Sequence, residues 1–405
     1  MTTMPTIAVL GTFDTKADEH AYVAECIRAA GCNVLLIDTG TGSEPRLKPD
    51  VTRFEIAKAG RVDLEPILAR QDRGEAVAAM VSAVPHCIEE LRQAGRIHGI
   101  ISLGGGGGTA IASAAMRVLP IGFPKLIVST LASGNTAHYV GTKDIVMIPS
   151  VVDINGLNRV LRLILTRAAG AIVGMVRAQL PVATDRPIIV ASMFGNTTAC
   201  VNAAIPFFTA AGFETIVFAA TGSGGRAMES LIESGMVAGV FDITTTELAD
   251  ELVGGVLSAG PDRLNATARA GVPAVVAPGC LDMVNFGERA TVPSRFSGRL
   301  FYQHNPQVTL MRTTPEECAV LGEQLANSVN RYTAPATVLI PTRAISVVSA
   351  KGGPFHDPLA DVALLKSIQK HLKPAIPYIT VDLEINDPEF AKLAAETLLR
   401  NIAEN

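Results

Sequence analysis

Short apolar, β-branched runs that each end in Gly, Ser, Thr or Asp recur along the chain, and no other feature restricts its fold so tightly. Such runs read as strands of a parallel sheet buried on both faces, and the small residues after them mark turns that face a ligand. The first series is Ile7 to Leu10 before GTFDTK, Val34 to Ile37 before DTGTG, Ile97 to Leu103 before GGGGGT, and Leu126 to Val128 before STLASGN. Helical spacing fills the intervals: Asp18 to Ala30 sets Ala21, Ala24, Cys26, Ile27 and Ala30 on one side and stops at Gly31, a natural C-cap. A second series starts at Ile188 with IIVASMFGNTT and continues through TIVFAATGSGG, GVFDITTTEL and AVVAPGCLDMVNF. The step from Ile7 to Val34 nearly equals that from Ile188 to Ile216, one β-α-β unit each time.

Right-handed crossovers leave few arrangements for such a string. The expected fold class is α/β, with two Rossmann-like domains of mainly parallel sheets in series, joined by a long helix. The domains are expected at 1–178 and 179–405, the first carrying an inserted, partly helical segment at about 44–84. Asp153 to Ala178 supplies the long helix, with Asp153 as its cap and Leu157, Val160, Leu161, Ile164, Ala168 and Ile172 as a broad apolar stripe. It reads equally as an interdomain connector and as an ordinary covering helix. Further strands are expected at Val308 to Met311, Thr337 to Ile340 and Tyr378 to Val381, with a closing helix from Pro388 to Asn405.

Composition narrows the partners. Charged residues make up 18% of the 405, below the roughly 25% of an average soluble protein, which favours a homodimer or higher homo-oligomer. A formal charge of −4 provides no basic field for a nucleic-acid backbone. The six cysteines form no C-x-x-C pair and are expected as buried, reduced thiols of a cytoplasmic protein. The N-terminus reads as a first strand and not a signal peptide, and no membrane span is expected, because Arg162 and Arg167 interrupt the most apolar long stretch.

Ligands of a wound parallel sheet bind outside the carboxyl ends of its strands, where the Gly- and Ser-rich segments fall. The run Gly104, Gly105, Gly106, Gly107 and Gly108, followed by Thr109, is the sharpest signal. Residues without Cβ expose consecutive N–H groups, and a helix opening at about Ala110 adds its positive end, which makes a nest for phosphate or carboxylate. The dinucleotide fingerprint fails, since Thr109 stands where its third Gly belongs. In GTFDTK, Gly11 closes the strand, Thr12 and Thr15 offer hydroxyls, Asp14 can orient a Mg²⁺ water and Lys16 can meet a phosphate. Ser129, Thr130, Ser133, Gly134 and Asn135 are expected to close over the bound anion. In the second series, Gly222, Gly224, Gly225 and Arg226 repeat the anion-binding pattern. Asp282, His304, His356 and Asp357 supply acid-base groups, with His356 beside Asp357 in KGGPFHDP as the most specific pairing. No His pair has metal-ligand spacing.

Taken together, GTFDTK, LGGGGGT, STLASGN with YVGTKDI, DINGLNR, TGSGG, PGCLDMVNFG, HNPQVTLMRTT and KGGPFHDP resemble the ATP-binding N-terminal domain family of the tomato mosaic virus resistance protein and its uncharacterised bacterial relatives. The resemblance runs from Ile7 to the C-terminal helix. It implies two Rossmann-like domains, ATP bound with Mg²⁺, and dimers or larger oligomers; it implies no particular reaction. In the plant proteins this region precedes a barrel domain; either a separate TIM-barrel protein supplies it here or the function is complete without it. Three functions fit the sequence. The first is an ATP-dependent transferase or ligase-like enzyme acting on a small carboxylate or sugar acid. The second is a non-catalytic, nucleotide-gated regulatory protein, and the third a nucleotide-independent isomerase or hydrolase.

Overall fold

A computed structural model of the chain describes residues 4–179 and 186–405. The chain divides into two compact units, 1–182 and 183–405.

Unit 1 opens with β1 (Thr6–Gly11), α1 (Ala17–Ala29) and β2 (Asn33–Asp38). Three helices follow: α2 (Arg53–Ala59), α3 (Leu64–Ala69) and α4 (Arg73–Gln93). The chain then returns through β3 (Gly99–Gly104), α5 (Gly106–Arg117), β4 (Lys125–Ser129), α6 (Ala137–Val140), β5 (Val146–Pro149) and α7 (Arg159–Arg177). All neighbours in the sheet are parallel, in the order β2-β1-β3-β4-β5. One apolar layer, with Ile56, Met80, Val84, Ile88 and Ile111, joins one face of the sheet to α2, α4 and α5. The other, with Val23, Ile27, Leu161, Leu165 and Ile172, joins the opposite face to α1 and α7.

The long helix is therefore a covering helix of unit 1. α7 packs on α1, β3 and β4, and its cap is Asn158, whose Oδ1 accepts the Leu161 amide at 2.9 Å. Asp153, expected as that cap, lies in the preceding loop. Residues 180–185, which lead from it into unit 2, lie outside the described residues.

Unit 2 begins with β6 (Ile188–Met193), α8 (Thr198–Ala210), β7 (Glu214–Ala219), α9 (Ser223–Ile232) and β8 (Val237–Thr244). Next come α10 (Glu247–Val253), α11 (Asn265–Ala270), β9 (Ala274–Gly279), β10 (Met283–Phe286), β11 (Phe301–Asn305), β12 (Val308–Arg312) and α12 (Pro315–Val329). The unit closes with β13 (Ala336–Pro341), α13 (Pro358–His371), β14 (Tyr378–Val381) and α14 (Pro388–Ala403). Its main sheet is parallel, ordered β14-β13-β9-β8-β6-β7, so the first three strands of each unit follow the same 2-1-3 winding. Val308 to Met311, expected as a further strand, lies in a small antiparallel sheet, β10-β12-β11. None of the helices among the described residues is long and apolar enough to cross a membrane.

Candidate functional site

The order 2-1-3 puts a crevice outside the carboxyl ends of β1 and β3, because the chain leaves these neighbouring strands toward opposite faces. In unit 1 that place is a cavity of about 760 Å³. Thr12, Asp14, Thr15 and Lys16 line it from the β1 exit, Thr41 to Ser43 from the β2 exit, and Gly105, Gly107 and Gly108 from the β3 exit. Leu68, Gln71, Arg73 and Val77 add a wall from α3 and α4, inside the segment that reads as an insertion.

The glycine run is divided between three structural roles. Gly104 ends β3, Gly105 is the N-cap of α5, and Gly106 to Gly108 form the first helical turn, so α5 opens earlier than Ala110. A helix leaves its first amides without intrahelical acceptors and carries partial positive charge there. A Cβ on Gly104 would come 2.9 Å from Gly108 Cα, so this glycine serves strand-to-helix packing. Gly106 is exposed and does not line the cavity.

Asp14 supplies the opposite polarity. Its Oδ2 accepts the Gly42 amide at 2.8 Å. Its Oδ1 is buried without a hydrogen-bond partner, on a residue only 8% exposed. The loop after β2 that it meets is held from the other side by Arg53, whose Nη1 donates to the carbonyls of Gly42 at 3.1 Å and Ser43 at 2.8 Å. Asp38, below the loop, accepts the amides of Phe13 and Gly40, and burial pushes its carboxyl above the usual range. Lys16 donates from Nζ to the Ile154 carbonyl at 2.5 Å, which leaves two of the three ammonium protons for other acceptors. The Thr12 and Thr15 hydroxyls pair at 3.0 Å.

Other residues expected at this site are spent internally. A Cβ on Gly11 would overlap the ring of His20, which burial lowers to a pKa of about 4 and so keeps neutral. Thr109 and Ser129 are buried and share a hydroxyl hydrogen bond of 2.7 Å. That bond ties α5 to the end of β4. Thr130, Ser133, Gly134 and Asn135 are exposed and outside the cavity lining, and Asn135 Oδ1 accepts the Ala137 amide.

The second series departs from its expected role. The amides of Gly222 and Gly225 at the start of α9 both donate to Glu247 Oε1, at 2.6 and 3.1 Å. The anion position of this helix is thus filled by the protein's own carboxylate. Arg263, fully buried, holds Glu247 Oε2 at 2.7 Å and clasps Asp242 through both terminal nitrogens at 2.6 and 2.7 Å. Gly224 is needed because a Cβ would overlap the Ala219 carbonyl, and Arg226 donates to the Ser258 carbonyl at 2.9 Å.

The expected acid-base groups of unit 2 make no direct side-chain contact with one another among the described residues, although Ser346 and Ser349 link Asp282 to the His356 ring. Asp357 is the N-cap of α13, accepting the amides of Leu359 and Ala360 at 3.1 Å each, so it does not pair with His356. The His356 ring meets the Ser349 carbonyl at 3.3 Å. His304 is exposed on β11, whereas Asp282 is fully buried, bonded to Ser346 Oγ at 2.7 Å and raised by burial to about 6. Sequence reasoning missed Arg73 and Gln71, which lie on a segment without strand-exit patterning. Glu247 reads in sequence as one more acid-base group of the second series, and its partners Gly222, Gly225 and Arg263 come to it only through the fold.

Residues 5–181 match the N-terminal domain of the uncharacterised protein family UPF0261, and residues 186–402 match its C-terminal domain. A UPF0261 protein of Clostridium tetani is 45% identical over 395 residues, covering 97% of this chain and 98% of that one. The ToMV resistance protein Tm-1(GCR237) of Solanum lycopersicum is 37% identical over 423 residues, covering 98% of this chain and 55% of that one. Among solved structures, a UDP-GlcNAc 2-epimerase of Neisseria meningitidis aligns with 67% of this chain and 82% of its own at 11% identity. Its TM-score of 0.24 is too low to inform a ligand. The chain belongs to the UPF0261 family.

Proposed function

We propose that this UPF0261 chain is a nucleotide-binding protein that takes ATP with Mg²⁺ in the cavity of unit 1. The observation that carries the reading is the contrast between its two glycine-bearing helix N-termini. That of α9 is neutralised by Glu247, whereas Gly105, Gly107 and Gly108 at that of α5 border open space that Asp14 also lines, a residue whose Oδ1 is buried without a hydrogen-bond partner. A ligand for this cavity needs an anionic group for the amides and a cationic or donor group for Asp14. A magnesium-bound phosphate chain has both, and Mg²⁺ is commonly held by one or two carboxylates plus substrate phosphates. Lys16 adds a point charge beside the phosphates. Leu68, Val77 and Ile111 give the cavity an apolar side for the base.

The same reading assigns no reaction to unit 2. Binding, with or without turnover, is tested by calorimetric titration of the full chain with Mg-ATP, followed by a phosphate-release assay in the presence of small carboxylic acids. One Mg-ATP per chain supports the proposal, and release distinguishes an enzyme from a nucleotide-gated regulator. Failure of the wild-type chain to bind any nucleotide overturns it.

A further inference from the structure

We infer that Arg73 anchors the terminal phosphate of the ligand, so that the turn from α3 into α4 reads how many phosphates the nucleotide carries; this rests on the reading of the unit 1 cavity as a Mg-nucleotide site. Three observations converge on that turn. The first is position. A Cβ on Gly107 would lie 3.3 Å from Val77 Cγ2, so the second turn of α4 meets the first turn of α5. Arg73 and Val77 are four residues apart on α4, and both line the cavity. Residues so spaced share a helix face about 5–6 Å apart, with the earlier one nearer the N-terminus. Arg73 therefore stands one turn beyond the glycine contact, at the rim.

The second observation is that Arg73 is left without a partner while its neighbours are paired. Arg70 takes the Glu75 carboxylate through Nε at 2.9 Å and Nη2 at 2.5 Å. Asp72 Oδ1 caps α4 by accepting the Glu75 amide at 3.0 Å. The nearby acids are thus occupied, and among the described residues Arg73 makes no ion pair or side-chain hydrogen bond. A guanidinium presents a fork of donors suited to a phosphate.

The third is the backbone between the helices. Gln71, which also lines the cavity, has φ +57 although it is not a glycine. Such a conformation costs about 1 kcal/mol or more and persists where the surroundings impose it, often at ligand clamps. Here it turns the chain so that α4 starts over the cavity. Asp14 lines the same cavity, and its Oδ1 is buried and unpartnered. A ligand satisfying all these groups has a cation beside Asp14, one anionic group on the α5 amides and a second one on Arg73. A monophosphate reaches only one of the two anion positions.

The test is titration of the full chain, wild-type, Arg73→Ala and Arg73→Lys, with Mg-ATP, Mg-ADP, Mg-AMP and inorganic tripolyphosphate. Circular dichroism checks that the variants are folded. Loss of one charge-assisted contact should weaken ATP and tripolyphosphate by roughly 10- to 100-fold in Arg73→Ala, with AMP unchanged and a partial recovery in Arg73→Lys. Equal losses for ATP and AMP, or no loss, overturn the assignment. Tripolyphosphate binding that depends on Arg73, without nucleotide binding by the wild-type chain, keeps the anion anchor and rejects the nucleotide reading. No binding of any probe by the wild-type chain rejects both.

Discussion

Glu247 Oε1 accepts the amide of Gly222 at 2.6 Å, and this contact sets two similar helix starts apart. Both units wind their first strands in the same order and both place glycines after a strand. In unit 2 the anion that such a helix start attracts is built into the chain and locked by Arg263. In unit 1 no carboxylate among the described residues bonds to the α5 start, and the cavity extends from it.

Replacing Glu247 by Gln therefore tests the division of labour. Gln retains an acceptor for Gly222 and Gly225 but withdraws a charge from a fully buried guanidinium. Breaking a buried ion pair from one side typically costs about 3–5 kcal/mol. Calorimetry should record a lower unfolding temperature for the variant, while the stoichiometry and affinity for Mg-ATP stay as in the wild-type chain. A nucleotide-binding defect in a still-folded variant would move the site toward unit 2.

Gly108→Val should abolish or weaken nucleotide binding at least tenfold while the fold persists. Cβ bonds in a helix tilt toward its N-terminus, so a side chain here reaches back toward the cavity that Gly108 lines. The protein itself leaves room, because the nearest atom to that Cβ, Leu103 O, is 3.6 Å away. Gly106→Val is the matched control: its Cβ meets nothing within 4 Å and the residue does not line the cavity. Equal effects of the two variants on affinity would mean that generic helix destabilisation, not the cavity, is being measured.

The parallel strands were legible because burial on both faces demands continuous apolar runs, as in Ile7 to Leu10. The small antiparallel sheet was not: β11 reads FYQHN, largely exposed and polar, with no apolar alternation to announce it. The glycine run marked the site, but its partition among strand, cap and helix did not show, since glycine has poor helix propensity and it is packing against α4, β3 and β4 that holds α5 there. Sequence pattern made GGGGGT the sharper signal but read TGSGG as the same kind of anion site. What distinguishes them is a long-range hydrogen bond to Glu247, which no local pattern encodes.

Asp14→Asn should remove most of the magnesium dependence of ATP binding. The amide can keep its oxygen on the Gly42 amide, so the loop after β2 stays in place, but it puts a neutral NH₂ where the unpartnered Oδ1 stands. Titrations with ATP in excess Mg²⁺ and in EDTA should differ clearly for the wild-type chain and by less than about twofold for the variant, a residual of a few tenths of a kcal/mol. An unchanged magnesium dependence would place the cation on another group.

Stability should fall as pH rises from about 4 to 7, and Asp250 is a main cause. Burial raises this carboxyl from 3.8 to about 7, despite hydrogen bonds from the Asn285 side chain and from the amides of Asn285 and Leu257. Across that interval the folded chain holds a proton that the unfolded chain has lost, so the slope of unfolding free energy with pH is negative. Above pH 7 both states are ionised at this residue and its contribution levels off. Asp250→Asn removes the titration. The new amide can be accommodated because Asn285 Oδ1 is buried without a partner, so a turn of the Asn285 amide supplies an acceptor where a donor stood. Asp282, raised to about 6 by burial, titrates in the same direction in both proteins. The informative quantity is therefore the difference in unfolding temperature between variant and wild type. It should shift in favour of the variant between pH 5 and pH 7.5; a difference that stays constant over this range would mean that Asp250 titrates alike in the folded and unfolded chains.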